Sequence, residues 1–173
     1  LPNEDTDISK IVKLSFEKRG IKIKTSSALK SVTTKENSVS AEIITNEKVE
    51  TINSEKLILA IGIIANTEKL GLKDFNVKID KGHIVTNEFL ETDEKGVYAI
   101  GDITDGPWLA HKASHEGILC VEKIAGHKNL KPIDKTSIPG CTYCRPQVAS
   151  IGMTEIQARS KNINLKIGKF PFI

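Results

Sequence analysis

Residues 96–117 read GVYAIGDITDGPWLAHKASHEG. An apolar run meets a glycine and then a carboxylate, Asp102; a Gly-Pro turn follows, and a helical pattern opens at Trp108 and Leu109. Ligands of open α/β sheets collect beyond the carboxyl ends of the strands. An ionised carboxylate placed there accepts hydrogen bonds, as from ligand hydroxyls, and does little else. The helix start offers unpaired backbone N–H groups at the positive end of the macrodipole, which favours an anion or a polar carbonyl. The two features together suit a ligand that has both a polyol and a group gaining negative charge. A flavin nucleotide fits, with its ribityl chain at Asp102 and its pyrimidine edge at the helix start. The alternative is that Asp102 is a turn residue capping the following loop, since Asp-initiated turns are common.

Cys141 and Cys144 form a CxxC pair in CTYC. A redox pair of this spacing normally sits at a helix start that lowers one thiol's pKa, whereas this one lies in a Pro-flanked, strand-like context. A zinc site would need two more ligands. The pair therefore reads as ordinary thiols, and no metal is expected. The only other cysteine is Cys120. An odd number without a secretion pattern argues against a disulfide scaffold and for a reducing compartment.

Several elements must position these residues. EDTDISKIVKLSFEKRG reads as a helix: acids in the first turn, Ile8, Ile11, Val12 and Phe16 at helical spacing, then Lys18, Arg19 and a Gly20 stop. IKIK alternates as a strand, and SVSAEIIT and KVETIN flank a turn as a hairpin. KLILAIG and GVYAIGD are continuous apolar runs expected to be strands buried on both faces. From Pro107 the pattern turns helical. Leu109, Ala113, Val121, Ile124 and Ala125 can share its apolar face, and Gly126 ends it. HKNLKPIDKTSIPG is a polar linker, after which CTYCRPQVASIG opens another β-rich unit.

The chain has 173 residues, 39% hydrophobic and 27% charged, with net charge +3, an ordinary globular balance. Lysines are scattered and aromatics are 5%, so no stacking platform or basic stripe for nucleic acid is present. No apolar run approaches the roughly 20 residues that span a membrane. The chain opens on Leu1 rather than Met and closes on KIGKFPFI, which reads as strand; a piece of a longer, non-secreted protein is expected.

At these residues the sequence resembles a known family. GVYAIGDITDGPWLAHKASHEG is similar to the second flavin signature of the pyridine nucleotide–disulfide oxidoreductases, and LAHKA followed by EG to their dihydrolipoamide dehydrogenase branch. GIKIKT and LILAIGIIANTEKLGL resemble the end of that family's NAD domain, and IPGCTYCRPQVASIGMTE the start of its interface domain. The resemblance implies an α/β fold. Residues 1–64 are expected to be the C-terminal part of an NAD-binding domain, 65–130 the second segment of an FAD-binding domain, and 131–173 the start of an α+β dimerisation domain.

The same resemblance implies an enzyme that oxidises dihydrolipoamide through a redox disulfide and FAD to NAD. By that resemblance it would serve 2-oxo acid dehydrogenase or glycine cleavage complexes as a homodimer, in bacterial cytoplasm or the mitochondrial matrix. Asp102 would bind the ribityl hydroxyl of FAD, and the main chain of Trp108, Leu109, Ala110 and His111 would line the flavin. Gly62 would let NAD approach the backbone, and Leu29 would lie near its adenosine. Ile63 and Ile64 stand where the family often has two arginines. Trp108 stands where it often has Met. In YCRPQ, Cys144, Arg145 and Gln147 replace the family's residues, while Tyr143 and Pro146 remain. No GxGxxG, no CxxxxC disulfide and no interface His-Glu pair is present, so no catalytic residue is expected within the chain. The competing expectations are another flavin disulfide reductase, glutathione- or mercuric-reductase-like, and a non-catalytic nucleotide-binding remnant. Isolated, such a piece is expected to be poorly soluble or only partly folded, with large apolar patches.

Overall fold

Helix α1 spans Thr6–Lys18, with Asp7 in its first turn and Lys18 in its last, both favourable to the helix dipole. It ends in a Schellman motif. Gly20, at φ +86°, donates to the Glu17 carbonyl and Ile21 donates to the Phe16 carbonyl. The computed structural model describes residues 1–172. Of the apolar stripe on α1, only Val12 is buried; Ile8 and Ile11 are exposed.

Three antiparallel strands follow: β1 (Ser27–Lys35), β2 (Ser38–Thr45) and β3 (Lys48–Ser54), in the order β1-β2-β3. The expected hairpin is β2–β3. Its loop, Asn46 and Glu47, takes positive φ of 48° and 65° at both positions, as a type I′ turn requires. That turn sets the register in which Ile44 faces Val49 and Ala41 faces Ile52. β1 pairs with β2 on the other side, with an irregularity between Leu29 and Ser31. Only Ala41 of the sheet is buried. Leu1–Gly62 forms one compact unit, and a second begins at Ile63.

Two expectations for the first unit are corrected. IKIK (21–24) and KLILAIG (56–62) carry no ladder. Ile58 and Ile61 are each 89% exposed rather than buried on both faces. A buried parallel strand needs a paired neighbour on each side and helices over both faces, and no described residues supply them to this run.

In the second unit a 3₁₀ turn at Leu72–Asp74 precedes a small hairpin, β4 (Ile79–Asp80) and β5 (His83–Ile84), turning through Lys81 and Gly82 at positive φ. GVYAIGD, the other expected buried strand, forms only an isolated bridge, Glu91 to Tyr98. It is supported by Ala99 N–H to the Leu90 carbonyl and Thr92 N–H to the Val97 carbonyl. It then tightens into a 3₁₀ turn, Gly101–Ile103, so Asp102 sits on a turn and not on a strand end.

Helix α2 runs Ala110–Ile124 from an extended N-cap at Leu109. It therefore starts after Pro107 rather than at it. Its buried face is also not the one expected. Lys112, Glu116, Leu119 and Cys120 are buried, while Val121 and Ile124 are exposed. Spacings of four, seven and eight residues place these four on one stripe. Leu119 and Cys120 pack with Leu90, flanked by Phe89, Tyr98, Leu130 and Ile133, to form the core of this unit. Gly126 and His127 close the helix in a second Schellman motif, onto the Lys123 and Glu122 carbonyls.

Beyond α2, Asp134 caps a short 3₁₀ turn, Lys135–Ser137. The expected β-rich unit is the hairpin β6 (Gly140–Thr142) and β7 (Val148–Ser150). Helix α3 (Glu155–Ser160) starts with a capping box between Thr154 and Gln157. The described part of KIGKFPFI carries no ladder, again for want of a neighbour among the described residues.

Candidate functional site

The 3₁₀ turn carrying Asp102 is fastened to α2 by polar contacts. The Glu116 carboxylate accepts from the Gly101 N–H at 2.7 Å. The Gly101 carbonyl accepts from Lys112 Nζ at 3.1 Å and from Thr104 Oγ1 at 2.8 Å. Lys112 Nζ also donates to Thr104 Oγ1 at 3.1 Å and lies 3.0 Å from Glu116 Oε1. Lys112 is 1% exposed and Glu116 3%. Two charges taken out of water this far are tolerable only when paired and hydrogen-bonded, as here. Gly101 is required twice: its φ is +76°, and a Cβ there would lie 3.3 Å from Ala113 Cβ.

Between these anchors the Asp102 side chain is exposed. Close by in sequence, the first turn of the 15-residue helix α2 has no side-chain cap. Its leading N–H groups, at Ala110, His111 and Lys112, have no intrahelical acceptor. The site thus pairs an exposed acceptor carboxylate with the donor N–H groups of an uncapped helix start. That chemistry fits a flavin nucleotide, with hydroxyls for the first and an electron-accepting carbonyl edge for the second. Trp108 stacks on His83, with ring centroids 5.4 Å apart and planes at 20°. His83 Nε2 is buried without a hydrogen-bond partner among the described residues. A cavity of about 720 Å³ opens beside this stack, lined in part by Thr104, Asp105, Glu116 and Lys135. The His111 ring reaches the Pro139 carbonyl through Nε2 at 2.8 Å.

The structure therefore gathers Asp102, Trp108, Leu109, Ala110 and His111 on one turn–helix segment. Leu29 and Gly62 belong to the other unit: Leu29 is exposed at the irregularity in β1, and Gly62 ends the unit. Gly62 has φ +128°, a conformation that side chains rarely adopt, and nothing lies within 4 Å of where a Cβ would be. Its backbone is open to close approach. Ile63 and Ile64 are exposed.

The cysteines are all free thiols. Burial raises the Cys120 pKa and keeps that thiol protonated. Cys144 Sγ donates to the Pro146 carbonyl at 2.9 Å, and Cys141 is exposed on β6. Among the described residues no group of His, Cys, Asp or Glu could hold a metal ion, and no helix is long and apolar enough to cross a membrane.

Sequence reasoning missed Lys112, Glu116 and Thr104. A Lys-Glu pair four apart on a helix ordinarily reads as solvent-facing. The signal was available in register: Lys112 and Glu116 continue the stripe of Leu119 and Cys120.

Residues 1–117 match the family model described as pyridine nucleotide-disulphide oxidoreductase, and residues 138–173 match the dimerisation domain of the same family. The chain belongs to the pyridine nucleotide-disulphide oxidoreductase family. Among its relatives, a dihydrolipoyl dehydrogenase of Zymomonas mobilis is 47% identical over 100% of this chain and 37% of its own length. A dihydrolipoyl dehydrogenase of Rhizobium etli is 45% identical over 99% of this chain and 36% of its own length. The crystal structure of LpdA from Mycobacterium tuberculosis superposes with a TM-score of 0.82 at 25% identity, covering 93% of this chain and 34% of that one. The chain thus spans little more than a third of the length of these relatives.

Proposed function

We propose that this chain is the flavin-facing middle portion of a dihydrolipoyl dehydrogenase, which oxidises dihydrolipoyl groups with NAD through FAD and a redox disulfide. The single observation that carries this is the exposed Asp102 carboxylate held on a clamped turn beside the uncapped start of α2. Its relatives are named for that activity, and their identity with this chain extends over nearly all of it. Asp102 accepts the ribityl hydroxyl, and the main chain from Trp108 to His111 lines the isoalloxazine. The α2 N-terminus stabilises negative charge at the pyrimidine edge. Flavin and nicotinamide, when bound, supply the hydride chemistry, and the residues here bind and orient them. Gly62 and Leu29 serve the NAD side, Gly62 by leaving its backbone bare.

The protein pairs as a C2 homodimer through the segment that starts at residue 138, and it meets the lipoyl groups of a 2-oxo acid dehydrogenase or glycine cleavage complex. Its free thiols suit a reducing compartment, bacterial cytoplasm or mitochondrial matrix. One observation favours a second reading, a nucleotide-binding remnant without turnover: Ile63 and Ile64 place two exposed apolar side chains directly after Gly62.

The test is lipoamide-dependent NAD reduction by the full-length protein, with flavin content read from its visible spectrum. Bound flavin with lipoamide activity is the expected result. Flavin without that activity points to another disulfide substrate. A folded protein with neither overturns the proposal.

A further inference from the structure

We propose that Lys112 and Glu116 are positioning residues that hold the Asp102 turn and the α2 start as one rigid flavin seat. This rests on the flavin reading of Asp102. The contacts of the pair converge on one place: Gly101 on one side of Asp102 and Thr104 on the other. The pair also belongs to α2, and Lys112 lies in the helix's first turn, among the N–H groups that have no intrahelical acceptor. It therefore couples the side-chain acceptor to the backbone donors. The spacing between ribityl hydroxyl and pyrimidine edge is fixed in the flavin, so a seat that keeps the matching spacing loses less freedom on binding.

Stability alone does not call for this arrangement. Buried ion pairs replaced by well-packed apolar residues are often as stable or more so, and the surrounding stripe is apolar at Leu119 and Cys120. What the pair provides that Leu or Met would not is a directional hold on Gly101 N–H, the Gly101 carbonyl and Thr104 Oγ1. Close contacts complete the seat: a Cβ at Gly101 would meet Ala113 at 3.3 Å, and one at Gly117 would meet Ile100 Cδ1 at 3.5 Å.

The experiment is FAD titration of the full-length apoprotein, by flavin fluorescence, for wild type, D102A, K112M and the double variant. The isosteric T104V, which removes the hydroxyl between Lys112 and the Gly101 carbonyl, is run alone and with D102A. It carries the same test where K112M fails to fold. Residues that act through one another give non-additive losses, whereas independent ones add. The expected result is that K112M and T104V each weaken FAD binding about tenfold in the wild-type background, and weaken it no further once Asp102 is absent. Equal losses in both backgrounds, as from general destabilisation, overturn the proposal, as does unchanged affinity in the single variants. Undiminished FAD binding by D102A overturns the flavin reading itself, a separate outcome.

Discussion

His111 donates its Nε2 hydrogen to the Pro139 carbonyl at 2.8 Å, tying the first turn of α2 to the residue before β6. The bond joins the candidate flavin segment to the segment that matches a dimerisation domain. The imidazole is thus a mechanical link while its main chain stays available to a ligand. Replacing it by Ala is expected to cost about 1 kcal/mol, as for an ordinary hydrogen bond near the surface. Amide exchange at Gly140–Thr142 should quicken, with FAD binding little changed. Unaltered exchange there would show that the bond contributes nothing.

The core of the second unit is small. Leu119 meets Leu90 and Cys120, with partly buried Phe89, Tyr98, Leu130 and Ile133 around them. Leu119→Ala removes buried methyl groups and leaves a cavity, destabilising by about 2–5 kcal/mol. The neighbours are only partly buried and able to collapse, so the lower end is expected. Denaturant unfolding of the full-length protein measures this.

The local elements were legible in the sequence where a signal is short-range. The Gly20 and Gly126 stops, the β2–β3 hairpin and the uncapped start near Trp108 rest on turn chemistry and periodicity within a few residues. KLILAIG and GVYAIGD were misplaced because an apolar run states only that burial is available. Forming a ladder depends on neighbours distant in sequence. The buried face of α2 was misread for a related reason. Composition assigns Val121 and Ile124 to the core, yet the small residues Ala113 and Gly117 bring Ile100 and Gly101 against the helix and turn Lys112 and Glu116 inward. Asp102 could be picked out, but the clamp that holds it could not.

Gly62 tests the nucleotide side. At φ +128° an alanine is strained, by about 1–3 kcal/mol. Gly62→Ala is expected to raise the KM for NAD several-fold while flavin content stays at the wild-type level. A loss of flavin with unchanged KM would place Gly62 outside the NAD contact.

Asp134 gives the chain a pH response. Hydrogen bonds from the Thr136 hydroxyl, the Ser137 hydroxyl and the Thr136 N–H hold its pKa below the ordinary carboxylate value. A lowered folded pKa means the contribution is fully present above the unfolded value and is lost as pH falls through the folded one. Protection of the Thr136 amide should persist to pH ~4 and fall only in stronger acid. In Asp134→Ala that protection should be absent at neutral pH, and no acid step should remain.

We propose Asp102 as a flavin ligand and not merely a turn residue. Its exposed side chain is not part of the Lys112–Glu116–Thr104 clamp, so Asp102→Ala should leave the fold intact. The decisive measurement is the FAD dissociation constant of the full-length Asp102→Ala protein, set beside its thermal midpoint. Binding is expected to weaken by about tenfold or more, the loss of a hydrogen bond to a charged group, with the apoprotein midpoint unchanged. Wild-type FAD affinity in a variant with a lowered midpoint would contradict it and make Asp102 a structural turn residue.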